Sequence, residues 1–138
     1  MTTGKMSKFA LAMLFGGASL AVALPAYGER NSLSMLDHLD SGDWELRQRD
    51  GAGQSNICLD NGRKLIQLRH QGLNCSTVIV EDTPNEVTVQ YTCRGQGYGR
   101  THIRRETDGL IQIDSQGIVD GRPFVYAAEG RRVGNCRS

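Results

Sequence analysis

Lys5 and Lys8 stand before an apolar run from Phe9 to Ala23, and Leu24-Pro25-Ala26-Tyr27-Gly28 follows it with small residues. A positive end, a short hydrophobic stretch and a small-residue neck are the parts of a secretory signal peptide. The apolar run, about 15 residues, is too short to cross ~30 Å of hydrocarbon comfortably. Residues 1–28 are therefore expected to be a cleaved leader, and 29–138 a single periplasmic or secreted domain with no membrane span. Ala26-x-Gly28 and Ala21-x-Ala23 both satisfy the cleavage rule, and no cysteine lies near the leader's end to carry a lipid. Outside the cytoplasm thiols oxidise, so Cys58, Cys75, Cys93 and Cys136 read first as disulfides.

Removing the leader from 138 residues leaves 110, enough for one hydrophobic core. Lys5 and Lys8 leave with it, so 16 basic residues become 14 against 15 acidic ones, a formal −1. Nucleic acid and anionic membranes want a clear basic excess and are disfavoured as partners. Lys64 is then the one lysine, and the other basic residues are arginines, whose planar fork suits fixed pairs with carboxylates.

Leu33, Leu36 and Leu39 recur at helical spacing beside Met35, so Ser32 to Leu39 reads as a short amphipathic helix ended by Asp40-Ser41-Gly42. The period then changes to two, with Trp44 and Leu46 facing inward and Glu45 and Arg47 outward. Asp50 to Ser55 reads as a loop, followed by a short apolar Ile57-Cys58-Leu59. Asp60 or Asn61 is placed to cap a helix carrying Leu65, Ile66 and Leu68 and ending before Gly72.

From Cys75 onward the pattern is a meander: 77–81, 87–93, 100–107, 110–115 and 124–129, with Thr83-Pro84-Asn85, Asp108-Gly109 and Asp120-Gly121-Arg122-Pro123 as connections. Asp108-Gly109 is the strongest hairpin signal. Val87, Val89, Tyr91 and Cys93 share one face, and Ile111, Ile113, Phe124, Tyr126 and Ala128 repeat the alternation. The expected fold is mainly β (α+β): a single twisted antiparallel sheet or partly closed barrel with one or two short helices, stapled by disulfides.

A hairpin turning around Pro84 pairs residues whose numbers sum to 168, setting Glu81 opposite Val87, Ile79 opposite Val89, Thr77 opposite Tyr91 and Cys75 opposite Cys93. Directly opposed positions suit a disulfide. Cys58 would then bond Cys136, although four cysteines allow three connectivities and spacing alone does not choose. A zinc or redox site with His38, His70 or His102 is the rival reading, but no two cysteines lie at ligand spacing, and no metal or cofactor is expected.

Gly95-Gln96-Gly97-Tyr98-Gly99-Arg100 resembles a phosphate cradle only superficially, because it joins two strands and no helix follows it. It reads as a hairpin loop that could face a ligand, with Tyr98 available for stacking and Arg100 and His102 beyond it. Alternation puts His102 and Arg104 on one face and Ile103 and Arg105 on the other, and Arg104 and Arg105 are expected in cross-strand ion pairs. Asp114-Ser115-Gln116-Gly117 is no nucleophile elbow, so catalytic residues are not expected.

Gly42-Asp43-Trp44-Glu45-Leu46 after a short helix, Cys58 before a polar helix, Tyr91-Thr92-Cys93 and the closing Arg132-Val133-Gly134-Asn135-Cys136 together resemble the exported bacterial domain-of-unknown-function family 3617. The chain departs from that pattern in having Leu59-Asp60-Asn61 where a Thr-Pro-type helix start is usual. The resemblance implies a periplasmic, disulfide-bearing domain and brings no catalytic residues. The leading expectation is a non-catalytic module that binds a small molecule or a periplasmic protein on a sheet face or at residues 95–100. Two rivals stand beside it. One is an inhibitor of a cell-wall hydrolase, which the Tyr91-Thr92-Cys93 strand and Gln116-Gly117 faintly resemble; the other is a small hydrolase using His102 with Asp114 or Glu106 as acid and base.

Overall fold

A computed structural model of the chain describes residues 32–137; the expected leader and its cleavage neck lie outside the described residues. Among the described residues seven strands are arranged: β1 Gly42–Gln48, β2 Gln54–Leu59, β3 Ser76–Asp82, β4 Glu86–Cys93, β5 Gly97–Thr107, β6 Leu110–Val119 and β7 Arg122–Gly134. They form one unclosed antiparallel sheet in the order β2-β1-β7-β6-β5-β4-β3. Every consecutive pair of strands but one lies side by side or is linked through a hairpin or through the β1–β7 pairing. The exception is β2 to β3, whose members occupy opposite edges. The connection between them, residues 60–75, must therefore cross the whole sheet.

That crossing covers the apolar face. Alternation turns Trp44, Leu46, Val87, Val89, Tyr91, Ile103, Ile111, Ile113 and Ala128 inward, where all are buried. Leu33, Met35, Leu36 and Leu39 pack on them from the N-terminal segment, Leu59 from the end of β2, and Leu65 and Ile66 from the crossing. Trp44 is 0 % exposed, and its Nε1 donates to the Asp40 carbonyl at 2.8 Å, satisfying the one polar atom a buried indole carries.

The covering elements are shorter than their spacing suggests. The Ser32 to Leu39 helix is a single turn, α1 Ser34–Asp37, entered through Leu33 at φ 40. The second helix is replaced by two 3₁₀ turns, Gly62–Leu65 and Leu68–His70. Asn61 does cap the first, its side chain accepting from the Arg63 N–H at 2.9 Å. Two contacts account for the break. Gly62 lies so close to α1 that a Cβ there would come within 2.8 Å of the Leu36 carbonyl. The Gln67 side-chain amide donates to the His70 and Leu73 carbonyls at 2.9 and 2.8 Å, taking bonds a continuing helix would make with backbone.

Both bridges form as the hairpin register suggests. Cys75 bonds Cys93 with Cα atoms 4.2 Å apart, and Cys58 bonds Cys136 with Cα atoms 5.4 Å apart. Thr77 faces Tyr91 and Ile79 faces Val89, but a bulge between Ile79 and Glu81 then shifts the register, so Glu81 faces Thr88 and Asp82 faces Val87. The expected Glu81–Val87 pairing is thereby corrected. A strand over 54–59 takes in Gln54-Ser55, read as loop, because the first half of this edge strand is polar and exposed and its apolar alternation begins only at Ile57 and Leu59. β5, β6 and β7 outrun their expected ends, and Gly99 pairs with Gly117 inside the sheet. Both Asp120 and Gly121 have positive φ, as a primed two-residue hairpin turn requires, whereas Asp108 and Gly109 close their hairpin without it.

Two outcomes follow for stability. By loop entropy the Cys75–Cys93 bridge, spanning 18 residues, should contribute about 3 kcal/mol and Cys58–Cys136, spanning 78, about 4.5 kcal/mol. Paired Cys→Ser variants unfolded in urea should rank in that order, and intact mass should rise by four hydrogens on reduction of the native chain. Asp37 accepts from Arg63 Nε and Nη2 at 2.9 and 2.8 Å, which holds its carboxyl below the ordinary value of 3.8. A depressed carboxyl adds stability above its unfolded pKa and loses it as pH falls through the folded one. Asp37→Asn should therefore destabilise by less than about 1 kcal/mol at pH 7, and the difference from the native chain should vanish in acid.

Candidate functional site

The solvent face of the sheet divides into two halves with different electrostatics. On β1, β2 and β7 the charges are mutually engaged: Arg47 donates to Glu45 at 2.7 Å, Gln54 to Glu45 at 2.8 Å and Arg131 to Glu129 at 3.4 Å. Glu45 stands opposite Arg131, and Arg47 opposite Glu129, so like charges are never juxtaposed across the strands. On β4, β5 and β6 pairs persist at Arg104–Glu106 and Arg49–Asp114, but they leave out Arg100.

There Tyr98, Arg100 and His102 follow one another on the outer face of β5. The expected hairpin loop over 95–100 is corrected accordingly: β5 begins at Gly97, so Tyr98 and Arg100 are strand residues held in register with Thr92 and Gln90. Across β6 and β7 they meet Ile118 with Pro123, and Gln116 with Val125. A trough of about 520 Å³ runs along this strip, lined by Gln90, Tyr98, Arg100, Gln116, Pro123 and Val125. A smaller hollow of about 270 Å³ continues it past Arg100 towards His102, Asp114 and Tyr126. Val125 is 83 % exposed and Tyr98 50 %. Among the described residues Arg100 makes no ion pair, unlike Arg104 beside it, whose guanidinium is 3.1 Å from Glu106. A cation without a partner thus lies between an exposed phenol and an exposed valine, flanked by two glutamine amides. Such a strip offers a planar bidentate donor, an aromatic platform and an apolar contact to one ligand.

A second concavity, about 580 Å³, lies between β2 and the 3₁₀ turns. Its charged groups are already committed, Lys64 pairing with Asp60 and Arg63 with Asp37, and the Gln67 amide is taken by backbone carbonyls.

Beneath the trough, the glycines of the 95–100 segment have a structural use. His70 is buried, with Nδ1 3.0 Å from the Tyr91 hydroxyl and Nε2 3.3 Å from the Gln96 carbonyl. A carbonyl only accepts, so Nε2 carries the proton and Nδ1 accepts from Tyr91. A Cβ at Gly97 would sit 2.9 Å from His70 Nε2, and one at Gly99 2.5 Å from the Tyr91 hydroxyl. The Gly-x-Gly spacing is thus the seat of a buried His–Tyr pair. Thr101 Oγ1 donates to the Ile66 carbonyl at 2.6 Å and lies 2.8 Å from Ser115 Oγ, tying the crossing segment to the sheet. Burial pushes the Tyr91 phenol above its ordinary value, opposed by the nearby Ser115 hydroxyl and the charge of Arg69.

The groups considered for acid–base chemistry are held apart. Asp114 faces His102 in register but is bound by Arg49, Glu106 is bound by Arg104, and His102 instead lies 3.7 Å from Glu86. Arg104 and Arg105 do not pair across strands as expected. Arg104 reaches two residues along its own strand, and Arg105 turns to Asp108 and Asn85 at the hairpin end. Linear spacing also missed that Glu81, Glu86 and His102 bring one donor atom each within 4.8 Å of one another. They lie on three strands, and the bulge in β3 that aligns them leaves no mark in residue spacing.

Replacing Tyr91 by Phe should leave Nδ1 of a buried imidazole without a partner, at a cost of about 1–3 kcal/mol in a urea titration. Ser115→Ala should cost less, since its hydroxyl is one of several in that network. No family model, curated protein or solved structure matches this chain.

Proposed function

We propose that the chain is an exported, periplasmic, non-catalytic binding module whose ligand or protein partner seats in the Tyr98–Arg100–His102 trough. The observation that carries this reading is the unpaired Arg100 between exposed Tyr98 and Val125, on a face whose other half neutralises its own charges. A guanidinium left free in a trough that is neither basic throughout nor apolar throughout favours a partner with a carboxylate or similar planar anion next to an apolar or aromatic group. Export is supported by two disulfides within the described residues, where no helix is long and apolar enough to cross a membrane. The resemblance to domain-of-unknown-function family 3617 belongs to the same reading and adds no reaction to it. The engagement of Asp114 and Glu106 by arginines supports binding over catalysis, because a general base needs its carboxylate facing the substrate.

The test is a backbone NMR titration of the oxidised protein with short acidic peptides, using the amidated peptides as uncharged controls. Shifts confined to Tyr98–His102, Gln116 and Val125 are expected with the acidic set. Arg100→Ala should weaken that binding at least tenfold, equivalent to about 1.4 kcal/mol, without altering the unfolding midpoint. Perturbations elsewhere on the sheet, or equal affinity after Arg100→Ala, would refute the assignment. Inhibition of a lysozyme at stoichiometric protein would favour the hydrolase-inhibitor reading in its place.

A further inference from the structure

We propose that Glu81, Glu86 and His102 form a binding site for a divalent transition cation of the zinc class on the outer face of the β3–β4–β5 edge. Their ligand atoms lie within 4.8 Å of one another, and His102 Nε2 is 3.7 Å from Glu86 Oε2. Around a tetrahedral ion with bonds of about 2.0–2.2 Å, neighbouring donors are separated by roughly 3.4 Å. The difference is of the size that side-chain rotation covers, and the three side chains are partly or fully exposed.

The register explains why these three meet. Without the bulge after Ile79, Glu81 would stand opposite Val87 and point at the core. With it, Glu81 stands opposite Thr88, whose other neighbour is His102, and a straight row runs across three strands. Asp82, next along, turns the opposite way and accepts from Ser32 Oγ and Leu33 N at 3.0 and 3.1 Å. That anchor fixes the parity of the strand end, and Glu81 is held on the outer face by Thr88 Oγ1 at 3.1 Å. Bulges are a known device for re-aiming a side chain.

Charge leaves the site in deficit. Two carboxylates lie in mutual reach, and no arginine joins them among the described residues. Arg104, the cross-strand neighbour of Glu86, directs its guanidinium to Glu106, while Asp114, on the far side of His102, holds Arg49. A divalent cation offsets both charges and uses the imidazole that a sodium, magnesium or calcium ion would leave idle. One nitrogen with two carboxylate oxygens suits zinc and its neighbours over all-oxygen cations. Three protein ligands leave the fourth tetrahedral position to water or to a donor from a bound partner. His102 also borders the trough, so an ion here would put a Lewis-acidic position at its end; the metal site itself does not depend on the trough having a ligand.

Calorimetric titration of tag-free, oxidised, metal-stripped protein with zinc chloride tests this. One-to-one binding is expected, with magnesium and calcium at least tenfold weaker, and His102→Ala, Glu81→Gln and Glu86→Gln each losing about tenfold or more. The zinc-free unfolding midpoints of the variants should match the parent, since none of the three side chains is buried. NMR of the histidine rings gives a reading independent of any variant: the His102 ring should shift with zinc while His38 and His70 stay still. Absence of one-to-one binding below about 1 mM zinc, unchanged affinity in His102→Ala, or ring shifts at His38 alone would each overturn the site.

Discussion

A sheet with one apolar face needs a cover, and here the cover is irregular chain with little stability of its own. Single helical turns and 3₁₀ turns of three or four residues do not persist in water unaided. Their order comes from what pins them. The crossing between β2 and β3 starts just after Cys58 and ends at Cys75, so each bridge fastens one end of it: Cys58 to the tail of β7 through Cys136, Cys75 to the end of β4 through Cys93. Between those anchors, Leu65 and Ile66 are buried and Thr101 reaches up to the Ile66 carbonyl. α1 is clasped to the crossing by Arg63, which spans Asp37 and the Ser32 carbonyl. Oxidation thus stands in for the long helix that usually spans a sheet of this width. Loss of the bridges would free the cover before it freed the meander.

The same dependence explains which features were legible in the amino-acid order. Strands β4, β6 and β7 declare themselves because their inward residues, Val87 to Cys93, Ile111 with Ile113, and Tyr126 with Ala128, alternate against polar neighbours. The Cys75–Cys93 bridge could be anticipated from the turn at Pro84, since period two leaves few registers for a tight hairpin. Helical spacing misled at 61–71, where apolar residues recur in a chain that is being stretched across a sheet between two anchors. Glycine misled at 97–99 and 117 for a different reason. In an isolated sequence glycine signals a turn, yet Gly99 and Gly117 are paired strand residues whose missing side chains admit Tyr91 and bring β5 and β6 backbones close. A close approach is a property of two segments at once, and neither segment records it alone.

The candidate trough lies over that glycine pair. Tyr98, Arg100 and His102 are legible as residues able to meet a ligand, and alternation places His102 on a strand face, but the outward row starts earlier than spacing shows because the glycines at 95–99 read as loop while β5 begins at Gly97. What makes the row distinctive is contrast. On the β1–β7 half of the outer face Glu45 and Glu129 each have an arginine and Asp43 accepts from Asn56, so that half has little to offer a partner beyond screened, exposed pairs. Arg100 lacks that closure, and the glutamines beside it bring donors and acceptors without charge. The outer face therefore has one region where a new hydrogen-bonding partner would displace only water.

The bulge in β3 joins these strands of reasoning. β3 is an edge, and an unbroken edge strand is open to pairing with another chain; one extra residue, Val80, breaks the ladder and turns it. Edge protection alone would be served by a bulge at many positions. This one falls where it reverses the direction of Glu81, keeping a carboxylate out of the apolar face and adding it to Glu86 and His102. Val78 and Val80, both exposed, remain on that edge with no apolar neighbour recruited to hide them, so the residue whose placement changes most is the charged one. A single inserted residue thus sets three things together: a break in the edge ladder, the parity that lets Asp82 anchor the N-terminal segment, and the gathering on the solvent face of three side chains able to ligate a metal.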